Sequence, residues 1–138
     1  MPELPEVETV RRQIQHGYLH ARIIKVKTRP ARIFQNISPA RFARELQGKK
    51  IMAIQRLGKF MYWKVEKVYP VFHLGMSGIF LSDRSLSLYP QHIHISFYFQ
   101  DGRSLHFQDV RKFSKVFLYS ATPSFPELGI DPLGENFT

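Results

Sequence analysis

Cysteine is absent from the 138 residues. That excludes disulfides and any thiolate-held zinc within the chain, and leaves the redox compartment open. No apolar run approaches the roughly 20 residues that a membrane-spanning helix requires. The opening Met1-Pro2-Glu3-Leu4-Pro5-Glu6 is acidic and proline-bearing, the reverse of the basic and then apolar start of a secretory signal. A cytoplasmic protein with no membrane partner is the expectation. Internal repeats and low-complexity tracts are missing too. Acid is scarce: 11 Asp and Glu stand against 20 Lys and Arg, a net charge of +9. A field of that sign says little about fold, but it favours polyanionic partners and fast, salt-sensitive encounter with them. A solvated basic surface with no such partner would have the same composition.

What is present suffices for one domain. At this length folding hides roughly two thirds of the surface of the open chain, so a real core can form. Val7, Val10 and Ile14 recur at helical spacing, with Pro5 suited to a first turn and Gly17 to a stop. Glu3, Glu6 and Glu8 gather at the positive end of that helix dipole. A second, short helix is expected from the N-cap Ser38 and Pro39 to Gly48. Residues 22–28, 50–56 and 60–66 read as strands. In 92–99, Ile93, Ile95, Phe97 and Phe99 share one face, and His92, His94, Ser96 and Tyr98 the face opposite the core. Asp101-Gly102 turns the chain into a strand at 103–108 whose Leu105 and Phe107 face the core, and a last strand is expected at about 115–119. Residues 84–91 carry no assignable pattern. The fold expected is mainly β (α+β), an antiparallel β-sandwich flanked by two α-helices. It should occupy residues 1–121, with the proline- and glycine-bearing stretch 122–138 as a linker.

The N-terminus has a chemical logic of its own. A small second residue lets Met1 be removed, which exposes the secondary amine of Pro2; while Met1 stays, that nitrogen is an amide and inert. An α-amino group is neutral at pH 7 roughly a few hundred-fold more often than an unperturbed lysine. It can therefore attack an electrophilic carbon and form an iminium without a buried lysine. Glu3 and Glu6 lie near enough along the chain to act as acid, base or water-positioning groups. Helix capping alone would favour the same acids. A strand pair of histidines, His92 and His94, could hold a metal, but no third ligand suggests itself, so no metal site is expected.

Residues 2–12, Pro-Glu-Leu-Pro-Glu-Val-Glu-Thr-Val-Arg-Arg, closely resemble the opening of formamidopyrimidine-DNA glycosylases. Three further segments agree in order and separation: Arg56-Leu57-Gly58-Lys59-Phe60, His73-Leu74-Gly75-Met76-Ser77-Gly78 and Asp109-Val110-Arg111-Lys112-Phe113. The resemblance spans nearly the whole chain, and the opening favours this branch over the endonuclease VIII branch.

The resemblance implies the N-terminal catalytic domain of a bifunctional DNA glycosylase and AP lyase that excises oxidised purines. Its partner would be double-stranded DNA carrying oxidised bases or abasic sites, met by a monomer in the bacterial cytoplasm at the nucleoid. Pro2 would be the nucleophile at C1′, Glu3 would handle protons at the sugar, Glu6 would support it through water, and Lys59 would hold a phosphate. Met76, Arg111 and Phe113 match the trio that fills the void left by an everted base, an extrusion that costs a few kcal/mol. For Met76 and Phe113 in isolation core packing is the ordinary role; their placement beside Gly75 and Gly78, and beside Arg111-Lys112, argues for exposed loop tips. Arg32, His73, His92, His94 and Lys112 are implied as DNA-binding, through contacts that set register without reading sequence. Leu128-Gly129-Ile130-Asp131-Pro132-Leu133 resembles the family's linker. The resemblance implies a following half with a helix–two-turn–helix module and a zinc finger, so Zn2+ is expected there and no cofactor in this chain. With one wall of the DNA cleft, the chain alone is expected to be weakly active or inactive. The alternative is a non-catalytic DNA-binding module of the same fold, which would have no need of Pro2, Glu3, Glu6 and Lys59 together.

Overall fold

A computed structural model of the chain describes residues 4–120, with side chains from Glu6 onward. Pro2, Glu3 and the linker expected at 122–138 lie outside the described residues. Helix α1 runs Leu4–Tyr18 and α2 Pro39–Leu46. The strands are β1 (Ile23–Thr28), β2 (Ile51–Leu57), β3 (Phe60–Val65), β4 (Tyr69–His73), β5 (Gly78–Leu81), β6 (Ile93–Phe99), β7 (Ser104–Asp109) and β8 (Lys115–Tyr119). They form two antiparallel four-stranded sheets, ordered β1-β6-β7-β5 and β2-β3-β4-β8. The expected sandwich with two flanking helices is what forms.

The two sheets meet through aromatic side chains. Trp63 and Phe72 from one sheet and Phe97 and Phe107 from the other are fully buried. Trp63 lies with its ring centroid 4.9 Å from Phe72 and 5.1 Å from Phe97, and Phe107 packs 4.9 Å from Phe80. Each tilted pair adds about 0.5–1.5 kcal/mol beyond the area it buries. Helix α1 closes one side of the sandwich against β2 and β3, burying Val7 and Ile14, and α2 closes another against β1 with Phe42 and Leu46. Ser38 caps α2 as expected, accepting from the Arg41 amide at 3.2 Å.

Three expectations change. Gly17 does not stop α1: the helix continues to Tyr18 and the chain turns at His20, φ 69°. The Tyr18 hydroxyl donates to the Ser104 carbonyl at 2.7 Å and its ring sits on Phe99, so tertiary packing holds the last turn in place. Two strands, β4 and β5, emerge where no strand was read. Pro70 interrupts the first pattern and the second is only four residues long. Third, the face of β6 opposite the core is not open, because His94 and Ser96 are buried. The unassigned segment includes the 3-10 turns Arg84–Leu86 and Pro90–His92, and its Ser87 hydroxyl bonds Gln108 of the neighbouring β7.

The topology brings a particular set of ends together. Gly78 pairs with Asp109, Ile93 with Gln108 and Thr28 with Ile95. In the other sheet Phe60 pairs with Leu57 and His73, and His73 with Lys115. The β2–β3 turn, the β4–β5 loop and the β7–β8 loop therefore share one end of the sandwich. All three of the internal motifs lie there.

Candidate nucleic-acid interface

The β2–β3 turn has two central residues. Gly58 takes φ 60° while Lys59 stays out of the left-handed region, the pattern of a hairpin whose first central position requires glycine. Lys59 is thereby thrust into solvent. Its neighbour is His73 at the end of β4, whose ring packs 5.0 Å from Phe60 and whose Nδ1 accepts from the Gly75 amide at 3.2 Å. Burial, and then the Lys115 and Lys59 ammonium groups, push the His73 pKa down. The ring is thus held neutral with Nδ1 as acceptor, which leaves Nε2 as the N–H donor.

The β4–β5 and β7–β8 loops share a root. Asp109 is fully buried; its carboxylate accepts from the Ser114 amide at 2.9 Å, the Ser114 hydroxyl at 2.5 Å and the Ser77 hydroxyl. Burial alone would raise the Asp109 pKa, but the hydrogen bonds from Ser114 and Ser77 outweigh it and the net shift is downward. The Ser77 oxygen in turn accepts from the Arg111 amide at 3.2 Å. Gly75, at φ 63°, presses the loops together: a Cβ there would stand 2.7 Å from the Phe113 carbonyl carbon.

From this root the tips project outward. Met76 is 54% exposed and Phe113 47%, and Arg111 is exposed with its guanidinium 5.0 Å from the Phe113 ring centroid. Core packing is thereby excluded for Met76 and Phe113, as their surroundings suggested. Arg32 reaches the same loop, donating to the carbonyls of Arg111 and Lys112 at 3.3 Å and lying 5.8 Å from the Phe113 ring. Lys112 is exposed at φ 60°. His92 is half-buried, its ring 6.5 Å from that of His94, which is only 3% exposed with its Nε2 bonded at 2.9 Å to the Asp109 carbonyl. Strand alternation placed His94 on the face opposite the core but did not foresee its burial.

Helix α1 points its first turn at this end. Glu8 accepts from Arg11 (2.7 and 2.9 Å), Arg12 (2.9 Å) and Arg56 (3.1 Å). Arg56 also donates to the Gly58 carbonyl at 3.2 Å, so the helix start is tied to the turn that bears Lys59. The Arg11 hydrogen bond, with help from Arg56 and Arg12 against burial, lowers the Glu8 pKa from 4.5 to about 2. Glu6, two residues earlier on the helix, is exposed. Asp109, Ser77, Arg56 and Glu8 all stand inside the recognised motifs, yet their spacing gave no hint of roles as struts. Ser114 and Lys115 follow the last motif directly and carried no signal at all.

Among the described residues no group of three His, Cys, Asp or Glu could hold a metal. No described helix is long and apolar enough to cross a membrane.

The arrangement is a basic, loop-tipped face with an apolar wedge at its centre and a helix start beside it. The fold that carries it recurs in known proteins. A family model described as the formamidopyrimidine-DNA glycosylase N-terminal domain matches residues 1–116. The formamidopyrimidine-DNA glycosylase of Bacillus subtilis (strain 168) is 38% identical over 136 residues, covering 97% of this chain and 49% of that protein. That of Exiguobacterium sibiricum is 34% identical, covering 100% of this chain and 52% of its own. Among solved structures, the complex between the Lactococcus lactis Fpg and an abasic site containing DNA superposes with a TM-score of 0.81 at 30% identity, over 92% of this chain and 47% of that one. A Lactococcus lactis complex with a FAPY-dG containing DNA gives 0.80. The chain spans about half the length of the curated relatives it matches. Family model, relatives and superposed structures agree, and the chain belongs to the formamidopyrimidine-DNA glycosylase family, whose N-terminal domain it carries.

Proposed function

We propose that the chain forms the catalytic half of a base-excision-repair DNA glycosylase with AP lyase activity, acting on oxidised purines in double-stranded DNA. The observation that carries this reading is the meeting, at one end of the sandwich, of Lys59, the Met76–Arg111–Phe113 tips and the start of α1. The relatives' names and the DNA in the matched Lactococcus lactis complexes support it.

In this mechanism Met1 is removed and the Pro2 nitrogen attacks C1′ of the damaged nucleotide. The C1′–N bond breaks and the base departs with the bonding pair. Glu3 delivers a proton to the sugar ring oxygen as the ring opens, leaving an iminium between Pro2 and C1′. The iminium acidifies C2′; loss of that proton expels the 3′ phosphate, and a second elimination expels the 5′ phosphate. Glu6 orients water, and Lys59 holds a backbone phosphate beside the lesion. Met76 and Phe113 occupy the space of the everted base, while Arg111 offers donors to its orphaned partner. The second wall of the cleft belongs to the other half of the relatives' length.

The test is borohydride trapping. The Met1-processed chain, alone and joined to the C-terminal half of the Bacillus subtilis relative, is incubated with duplex DNA containing an abasic site. A covalent adduct on Pro2 is expected from the joined protein and little from the chain alone. Duplex binding with no adduct from the joined protein would mark a binding module that lacks the chemistry.

A further inference from the structure

Lys112 carries a side chain on a left-handed backbone, φ 60°. Such a conformation is costly and persists only where its surroundings over-determine it. The Lys112 amide turns inward to the Asp109 carboxylate, while the carbonyls of Lys112 and Arg111 turn outward. Both carbonyls meet one side chain. Arg32 donates from Nε to the Lys112 carbonyl and from Nη2 to the Arg111 carbonyl, each at 3.3 Å. A planar guanidinium presents two donors at fixed spacing, which a lysine ammonium does not. The same group lies 5.8 Å from the Phe113 ring, and Arg111 stands 5.0 Å from that ring. Arg32 is itself well rooted. Ile33 beside it is fully buried, the Ile33 carbonyl accepts from the Val116 amide at 2.8 Å, and the Gln35 amide donates to the Val116 carbonyl at 2.9 Å. The segment is thereby laced to β8, the strand that leaves the loop it grips. The Arg111 guanidinium, by contrast, has no hydrogen bond or ion pair to a described residue.

We propose that Arg32 is a positioning residue: it braces the Lys112 turn from outside and so aims Arg111 and Phe113, rather than holding a DNA phosphate itself. The inference rests on the reading that these tips enter the duplex at the lesion. It departs from the DNA contact that the family resemblance implied for Arg32. The two guanidinium groups divide the work. Arg32 spends its donors on the loop backbone, and Arg111 keeps its own for the orphaned base. Cytosine presents two adjacent acceptors, O2 and N3, on its pairing edge; adenine presents one acceptor beside a donor. A side chain that can only donate, held at one angle, tells these edges apart. On a slack turn it loses that angle and the distinction with it.

The test separates a brace from a phosphate contact. The chain joined to the C-terminal half of the Bacillus subtilis relative is compared with its Arg32→Lys and Arg32→Gln variants. Lysine keeps the charge that a phosphate needs but cannot bridge two carbonyls in the same way. Borohydride trapping is run on duplexes with cytosine or adenine opposite the abasic site. The parent should favour cytosine, and both variants should lose that preference by roughly five-fold or more. The slope of log affinity against log salt should keep its parental value in both. So should the urea midpoint, because Arg32 is exposed. A preference that survives in Arg32→Lys overturns the proposal. So does a slope smaller by about 0.9 in Arg32→Gln, the mark of one lost phosphate contact. A midpoint that falls together with the preference also overturns it, since the loss would then be one of folding. A parent that forms an adduct without preferring cytosine is equally fatal to it. A parent that forms no adduct defeats the catalytic reading beneath, and this inference with it.

Discussion

At the scale of single residues, glycine separates two physical demands. Gly58 and Gly75 share a positive φ, 60° and 63°, so a side chain at either meets a backbone penalty of about 1–2 kcal/mol. Around Gly58 there is nothing within 4 Å of an added Cβ, whereas at Gly75 it meets Phe113 and Ser114 backbone atoms at 2.7–2.9 Å. Gly58→Ala should therefore cost about 1 kcal/mol and Gly75→Ala about 3 kcal/mol or more. Urea midpoints would show the difference. Equal losses would mean that the close approach of the two loops is not what demands glycine at 75. Which glycine was which could not be read from sequence, since both sit in motifs and the neighbour that distinguishes them is about 38 residues away along the chain.

Among elements, the Glu8–Arg56 contact joins α1 to the β2–β3 hairpin. The Glu8 pKa, near 2 in the folded chain, is below its unfolded value of about 4.5. The stabilisation is thus complete above pH 4.5 and is lost as pH falls toward 2. Glu8→Gln should be less stable than the parent at pH 7, with the gap closing between pH 4.5 and 2. A double-mutant cycle with Arg56→Gln should give a coupling of about 0.5–1 kcal/mol at neutral pH, modest because the pair is partly exposed. A gap that persists at pH 2 would place the effect in packing rather than charge. Strands with strong alternation, β6 and β7 above all, were legible because one face of each meets the aromatic interior. The short β4 and β5 were not, because pairing with β8 and β7 creates them and no local pattern announces it. The burial of His94 was hidden for the same reason: the Asp109 carbonyl that its Nε2 meets is 15 residues away along the chain.

For the whole molecule, the net charge of +9 was visible at once but its direction was not. Only the sandwich topology gathers Arg32, Lys59, Arg111, Lys112 and Lys115 at one end, while Lys64 and Lys67 stand at the other. Neutralising Lys59 and Lys112 to Gln should lower the salt slope of duplex binding by up to about two. The same change at Lys64 and Lys67 removes equal charge and should lower it little. Matching slopes for both variants, measured by fluorescence anisotropy across a salt series, would mean that duplex DNA meets the molecule without orientation. Asp109 sets how that face yields under load. Ser77 and Ser114 hang from one sunken carboxylate, so Met76 and Phe113 share a single hinge pin, and tilting either fingertip drags the other along.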